Sequence, residues 1–266
     1  MNTLVALTDF TPAADNAALY AAHLARDLQA ELVLLHVYQL PISMNDMPIL
    51  AVSAEELKNN SDHGLQRTRE ELLRQVPSLA IRTESRLGDV NDEINQYCKE
   101  APVMALVMGT HHYTGLEKIL FGNTAISVIR HSHYPVITVP ESYEGRGVHR
   151  VVFATDLEPL EASVIEKIHS IVQQLHADLH VVHVMTDEGE LPPDHFLEPF
   201  RDLAPHFRTV HNDDVTEGLQ EYIHRTGCDL LIALPHKHNL LDAFLFRLHT
   251  REFVEHVDRP LLFIHE

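Results

Sequence analysis

The first strand–helix–strand stretch of this chain returns 147 residues later without a gap: Thr8, Asp9, Pro12, His36 and Val37 are matched by Thr155, Asp156, Pro159, His183 and Val184. From position 89 the match resumes at an offset of 125, pairing Asp89 with Asp214, Val90 with Val215, Tyr97 with Tyr222, His111 with His236, Leu116 with Leu241, Phe121 with Phe246 and Pro135 with Pro260. The difference between the offsets means that the second copy has lost 22 residues in its middle. A repeat of this length exceeds a solenoid unit and has the size of a small domain. The chain therefore reads as two fused domains, residues 1–140 and 148–266.

In the first copy, residues 3–8 form an apolar run too short for a helix, and residues 13–29 are rich in alanine and leucine at helical spacing. Glu31–Tyr38 is a second apolar run, and Ser53–Gln75 a long charged amphipathic helix after the proline-bearing loop 40–50. A strand near 80–86, a helix at about 90–100 and the strand Val103–Met108 follow. After a loop at 109–121 a helix begins near Asn123, and Pro135–Val139 is the last strand. The second copy repeats the order, with strands at 149–155, 178–185, 207–211, 229–233 and 260–264 and helices at 160–176, 215–226 and 249–257. One short helix and loop are expected in its proline-rich stretch 187–204.

Nearly continuous apolar strands alternating with helices are those of a parallel sheet covered on both faces. The predicted fold is α/β: two tandem doubly wound five-stranded parallel sheets, each of order 3-2-1-4-5, with a ligand crevice between strands one and four. The last strands, Val136–Val139 and Leu261–Ile264, would be bare edges in separate domains, so the halves are expected to pack through them as a pseudo-dimer. Residues 141–148, polar with two glycines, are the predicted linker.

A formal charge of −19 opposes binding to nucleic acid and to anionic membrane surfaces. No run approaches the roughly 20 apolar residues of a membrane span, and the first residues are a strand pattern, so a cytoplasmic location is expected. The two cysteines, Cys98 and Cys228, lie at unrelated repeat positions and in no C-x-x-C pair, which leaves a disulfide framework or thiolate metal site unsupported.

Chemistry concentrates after the strand Val103–Met108, where Gly109, Gly115 and Gly122 precede a helix. Such glycines let backbone N–H groups approach a phosphate, and the helix N-terminus adds partial positive charge. The same spacing also suits a tight turn and a helix cap, with Asn123 as the cap. The histidine pairs His131/His133, His180/His183 and His236/His238 have spacings seen in metal sites, but no cysteine or carboxylate completes a ligand set. Asp89 and Asp213–Asp214 are placed to cap helices. No nucleophile elbow, P-loop lysine motif or H-E-x-x-H occurs, so no catalytic residue is assigned.

The segments VALTDF, LLHVY, GDVNDEI and VMGTHHYTGLEKILFGNTAISVIRHSHYPVITVP together resemble the universal stress protein family, in both halves, as in a tandem member. That family's nucleotide pattern is G-x-x-G, nine residues, then G-[S/T], after a methionine. Met108, Gly109 and Gly122 match it, while His112 stands at the second glycine and Asn123 at the Ser/Thr. The resemblance implies adenine and ribose contacts at Thr8, Asp9 and Val37, and phosphate contacts at Gly109, His111, His112, Gly122, Asn123 and Thr124. If position 112 needs a left-handed backbone, His112 would strain it.

The second copy keeps Asp156 but has Leu234 and Arg247 at the Gly109 and Gly122 positions, so its cradle is expected to be closed, although Arg247 could hold a different anion. The function implied is a stress-response regulator whose N-terminal half alone binds ATP or a related adenine nucleotide, with or without Mg2+. It would be at most a weak ATPase. Protein partners are not named by the sequence, and further homo-oligomer formation is left open. The alternatives are an interaction module that binds no nucleotide and, ranked below it, a histidine-based metal-binding protein.

Overall fold

The computed structural model describes residues 3–40, 53–112, 119–120, 123–185, 194–234 and 257–265. In the N-terminal half, β1 (Thr3–Leu7), β2 (Glu31–Tyr38), β3 (Ile81–Leu87), β4 (Val103–His112) and β6 (Val136–Pro140) alternate with α1 (Pro12–Asp27), α2 (Ala54–Gln75), α3 (Val90–Glu100) and α4 (Asn123–His131). A two-residue strand, β5 (Ile119–Leu120), lies beside β4. The C-terminal half contains β7 (Arg150–Ala154), α5 (Ala162–Leu175), β8 (Asp178–Met185), β9 (His206–His211), α6 (Val215–Thr226), β10 (Leu230–Ala233) and β11 (Leu261–Phe263). A 3-10 segment, Asp194–Leu203, stands where the shortened stretch was expected to hold one short helix and loop.

Helix starts follow local chemistry. Thr11 accepts from the Ala14 amide and Pro12 supplies the first helical position of α1. Ser53, Asp89 and Asp214 cap α2, α3 and α6 through their side chains. Ala17, Ala18, Ala21, Ala22 and Ala25 are fully buried, which lets α1 lie close on the sheet.

The strands form one sheet in the order β3-β2-β1-β4-β6-β11-β10-β7-β8-β9. Each half has the predicted order 3-2-1-4-5, and pairing is parallel within each half. The halves meet where β6 and β11 pair antiparallel, with Ile137 opposite Leu262 and Val136 opposite Phe263. The pseudo-dimer is thus a continuous sheet rather than two stacked ones, because each last strand satisfies the other's free backbone groups.

Alternate residues feed two cores. Leu4, Ala6, Leu34 and Val107 pack under α1 and α2, in a core that continues to α5. Val5, Leu35, Leu106 and Met108 pack under α3 and α4, in a core that continues to α6. No helix among the described residues is long and apolar enough to cross a membrane.

Two expectations are corrected. β4 does not end at Met108 but runs to His112, where His111 and His112 pair with Leu120 and Ile119, so part of the predicted loop 109–121 is strand. His112 is therefore in an extended strand and needs no left-handed backbone. The segment 141–148 is anchored to α1: Asn16 Nδ2 donates to the carbonyls of Pro140 and Tyr143, and Arg146 donates to Asn16 Oδ1 and to Tyr143 O. Apart from Val257, the helix expected at 249–257 lies outside the described residues.

Candidate functional site

The turn from β1 into α1 is built from short-range hydrogen bonds. Asp9 Oδ1 accepts from the Thr11 amide at 3.1 Å and from Thr11 Oγ1 at 2.6 Å. Thr8 Oγ1 accepts from the Phe10 amide at 3.0 Å, which helps hold Phe10 at a φ of 64°. From β2, His36 Nδ1 donates to the Thr8 carbonyl at 2.6 Å, so in its neutral form the ring's other nitrogen is an acceptor. The Phe10 ring lies 4.5 Å from the His36 ring and occupies the space left by Gly64 of α2, where a Cβ would come within 2.7 Å of it.

The second copy preserves three of these four bonds, losing only the hydroxyl bond of Thr11, whose place is taken by Glu158. Leu157 N donates to Thr155 Oγ1 at 3.0 Å, Glu158 N to Asp156 Oδ1 at 3.1 Å, and His183 Nδ1 to the Thr155 carbonyl at 2.9 Å. Leu157 takes a φ of 67° at the Phe10 position. A left-handed non-glycine residue costs on the order of 1–2 kcal/mol, so its retention in both halves marks a geometry imposed by the surrounding bonds.

Beside the first-half turn is a cavity of about 220 Å3. It lies where the strand order reverses between β1 and β4, the crevice position of doubly wound sheets. Leu7, Leu35, Val37, Val90, Ile94 and Met108 give it an apolar slot, and Thr8, Asp9, Thr11, His36 and Thr124 place polar groups around it. Six of the residues singled out from sequence, Thr8, Asp9, Val37, Met108, Gly109 and Thr124, line this one cavity although they come from four separate elements and turns. Asn123 is the first residue of α4, and His111 and His112 continue β4, which brings their backbones to the same end of the sheet. Gly122 lies outside the described residues, as do Gly115 and Arg247.

Gly109 has a role that its motif did not suggest. It is paired in the strand with Val139, and a Cβ there would stand 2.8 Å from the Ala14 amide nitrogen and closer still to the Ala13 carbonyl. The missing side chain admits the first turn of α1 to the sheet. At the equivalent place in the other half, Leu234 packs against the core under α5. There α5 begins at Ala162 and not at Pro159, the position equivalent to Pro12, and its cap Glu161 makes no side-chain cap bond. A leucine needs the room that the first turn of α1 takes up, so the second half has lost that turn.

His36, Thr11, Val90 and Ile94 also line the cavity, as do Leu7, Ala14, Leu35 and Ala125, and none of these was singled out as a site residue. The recurrence of His36 as His183 was the signal available for the histidine. Near the turn, burial raises the pKa of Asp15, with the Asp9 and Glu71 carboxylates acting in the same direction and Arg67 opposing them. Of the histidine pairs, His180 is bonded to Tyr222 Oη at 2.6 Å and His183 to the Thr155 carbonyl, while His236 and His238 lie outside the described residues. Among the described residues no group of three or more His, Cys, Asp or Glu side chains could hold a metal ion.

Comparison with known proteins gives consistent results. The family model for the universal stress protein family matches residues 1–140. A universal stress protein of Methanocaldococcus jannaschii is 30% identical over 142 residues, covering 51% of this chain and 80% of the relative. Universal stress protein G of Shigella flexneri is 31% identical over 131 residues, covering 47% of this chain and 87% of that one. The crystal structure of a universal stress protein from Archaeoglobus fulgidus matches 99% of this chain and 98% of its own with a TM-score of 0.70, at 14% identity, a likeness of fold.

Proposed function

The chain belongs to the universal stress protein family, and from that premise we propose that its N-terminal half, residues 1–140, binds ATP or a related adenine nucleotide in the cavity beside the β1–α1 turn. The observation that carries this reading is the convergence of Thr8, Asp9, Val37, Met108, Gly109 and Thr124 on one crevice at the switch point of the sheet. The enclosed volume of about 220 Å3 is below the roughly 300–1,000 Å3 of pockets that enclose a whole drug-sized ligand, so it suits the base and ribose, with the phosphates outside. The apolar lining of Leu7, Leu35, Val37, Val90, Ile94 and Met108 suits a purine ring, and Asp9 suits ribose hydroxyls. The amino end of α4, with Asn123 and Thr124, suits the phosphates.

The C-terminal half, residues 148–266, is then a structural partner that keeps the Thr155, Asp156 and His183 bonds but whose phosphate side carries Leu234 where the first half has Gly109. Nucleotide occupancy in the first half would bias the binding of protein partners or assembly with further copies. Calorimetry with ATP and AMP on the wild type and on Asp9→Ala tests the reading. Binding that weakens in the variant supports it, and identical affinity in the two chains refutes the assigned site.

A further inference from the structure

Tyr97 and its repeat counterpart Tyr222 sit in opposite electrostatic surroundings. Around Tyr97 the charges are paired: Arg82 bonds Glu31 at 2.7 Å, and Arg86, 5.0 Å from the Tyr97 ring centroid, bridges Glu84 at 3.1 Å and Glu100 at 2.6 Å with Glu93 at 3.8 Å. The pairing of Val33 with Arg82 and of His180 with His206 aligns β3 with β9. On that alignment Glu84 becomes Arg208 and Arg82 becomes His206, while the helix register turns Glu93 into Gly218 and Glu100 into Arg225. Val33 becomes His180 and Thr3 becomes Arg150. Of the four carboxylates, only that of Glu31 has a counterpart, Asp178.

These groups share one face of the sheet with α6, because Arg150 pairs with Asp178, His180 with His206 and Val182 with Arg208, and Val182 and Tyr222 pack in the same core. His180 is bonded to Tyr222 Oη at 2.6 Å, the His206 ring lies 5.1 Å from that of His180, and Arg225 lies 5.7 Å from the Tyr222 ring centroid. Among the described residues neither Arg150 nor Arg208 has a carboxylate within ion-pair distance, and Arg150 Nε is enclosed without an acceptor. Arg208 donates to the Phe207 carbonyl, and Glu221 stands 3.8 Å from Arg225. Arg208 and Arg225 are exposed, but Arg150 is partly buried, and a partly buried guanidinium left without a counter-charge is costly in a chain whose formal charge of −19 could have supplied one.

We propose that this face of the C-terminal half is a binding site for a small phosphate-type oxyanion, held by Arg150, Arg208 and Arg225 with His180, His206 and Tyr222 as hydrogen-bonding groups. Guanidinium forks match the geometry of phosphate oxygens and remain charged at all physiological pH values. The site is at the amino-terminal ends of the strands, since Arg150 and His206 open β7 and β9, whereas the nucleotide cavity lies at the carboxyl ends of β1, β2 and β4. It does not depend on the nucleotide reading. Burial, followed by the neighbouring Arg150, lowers the pKa of His180, and a bound anion would push it back up.

The probe is inorganic pyrophosphate, added to the full chain while the imidazole resonances of His180 and His206 are followed by NMR, each assigned by its loss in His180→Gln or His206→Gln. Both resonances should move, and the charging midpoint of His180 should rise. The double variant Arg208→Glu with Arg225→Glu, which restores carboxylates at both places and alters only exposed side chains, should raise the half-saturating concentration at least about tenfold at an unchanged melting temperature. Asp9→Ala should leave the response intact. The proposal is overturned if the resonances stay still, if sodium chloride at equal ionic strength moves them equally, or if the double variant responds like the wild type. Loss of the response in Asp9→Ala would place the anion in the nucleotide cavity and also overturn it. A double variant that changes the oligomeric state, in a chain that ignores pyrophosphate, would make the cluster a contact with a second copy instead.

Discussion

Gly109 of β4 lies against Ala13 in the first turn of α1 so closely that a side-chain carbon at 109 would overlap the Ala13 carbonyl. The glycine serves helix–sheet packing, and through it the position of the turn that carries Asp9 and Thr11. Gly109→Ala should therefore destabilise the chain by about 1–3 kcal/mol, the usual cost of overpacking. It should also weaken nucleotide binding by displacing α1 from the cavity. Denaturant unfolding followed by calorimetry on the same sample checks both effects, and a stable variant with full affinity would contradict the packing role.

Asp9 is exposed, and its recorded partners are the amide and hydroxyl of Thr11. Asp9→Ala should cost about 1 kcal/mol of stability while reducing adenine nucleotide affinity by roughly tenfold or more. A variant that keeps its full affinity, whatever its stability, would refute the assigned site.

One nucleotide should bind per chain. The second half keeps the Thr155, Asp156 and His183 turn, so a test by turn chemistry alone would count two sites. Leu234 and the delayed start of α5 argue for one. Equilibrium binding at accurately known protein concentration decides, and two equivalent sites would remove the distinction between the halves.

Because β6 and β11 make the sheet continuous, the two halves should lose structure together. Leu262, fully buried opposite Ile137, is the place to probe this. Leu262→Ala should cost about 2–5 kcal/mol and lower a single calorimetric transition. Two transitions, of which only one responds, would show that the halves unfold independently.

Burial pushes the thiols of Cys98 and Cys228 up to about 12. Both should resist alkylation at pH 8 until the chain unfolds, because the thiolate is the reactive form. With folded values above the usual thiol range, the associated stability is complete at neutral pH and declines as pH rises from about 9 towards 12. Rapid labelling of either cysteine in the native chain at pH 8 would contradict this burial.

Much of the fold was legible because its signals are local. Apolar runs, helical spacing and the caps Asp89 and Asp214 concern neighbours along the chain, and the repeat doubled each of them. The strand β5 was not legible, since two residues pairing with His111 and His112 have no periodicity to read. Nor was the anchoring of residues 141–148, which depends on Asn16 and Arg146 meeting across 130 positions.

The sequence by itself determined the two-copy plan, the alternation of strands and helices within each half and the recurrence of Thr8, Asp9 and His36, because hydrophobic period, capping chemistry and a constant offset are read along the chain. Only the tertiary structure decided the antiparallel register in which β6 meets β11, that Gly109 is needed by Ala13, and that Tyr97 stands among paired charges while Arg150 and Arg208, on the face of Tyr222, have no carboxylate at ion-pair distance among the described residues. Those outcomes depend on which side chains from distant segments occupy the same few ångströms, and that is set by packing in three dimensions, not by the order of residues along the chain.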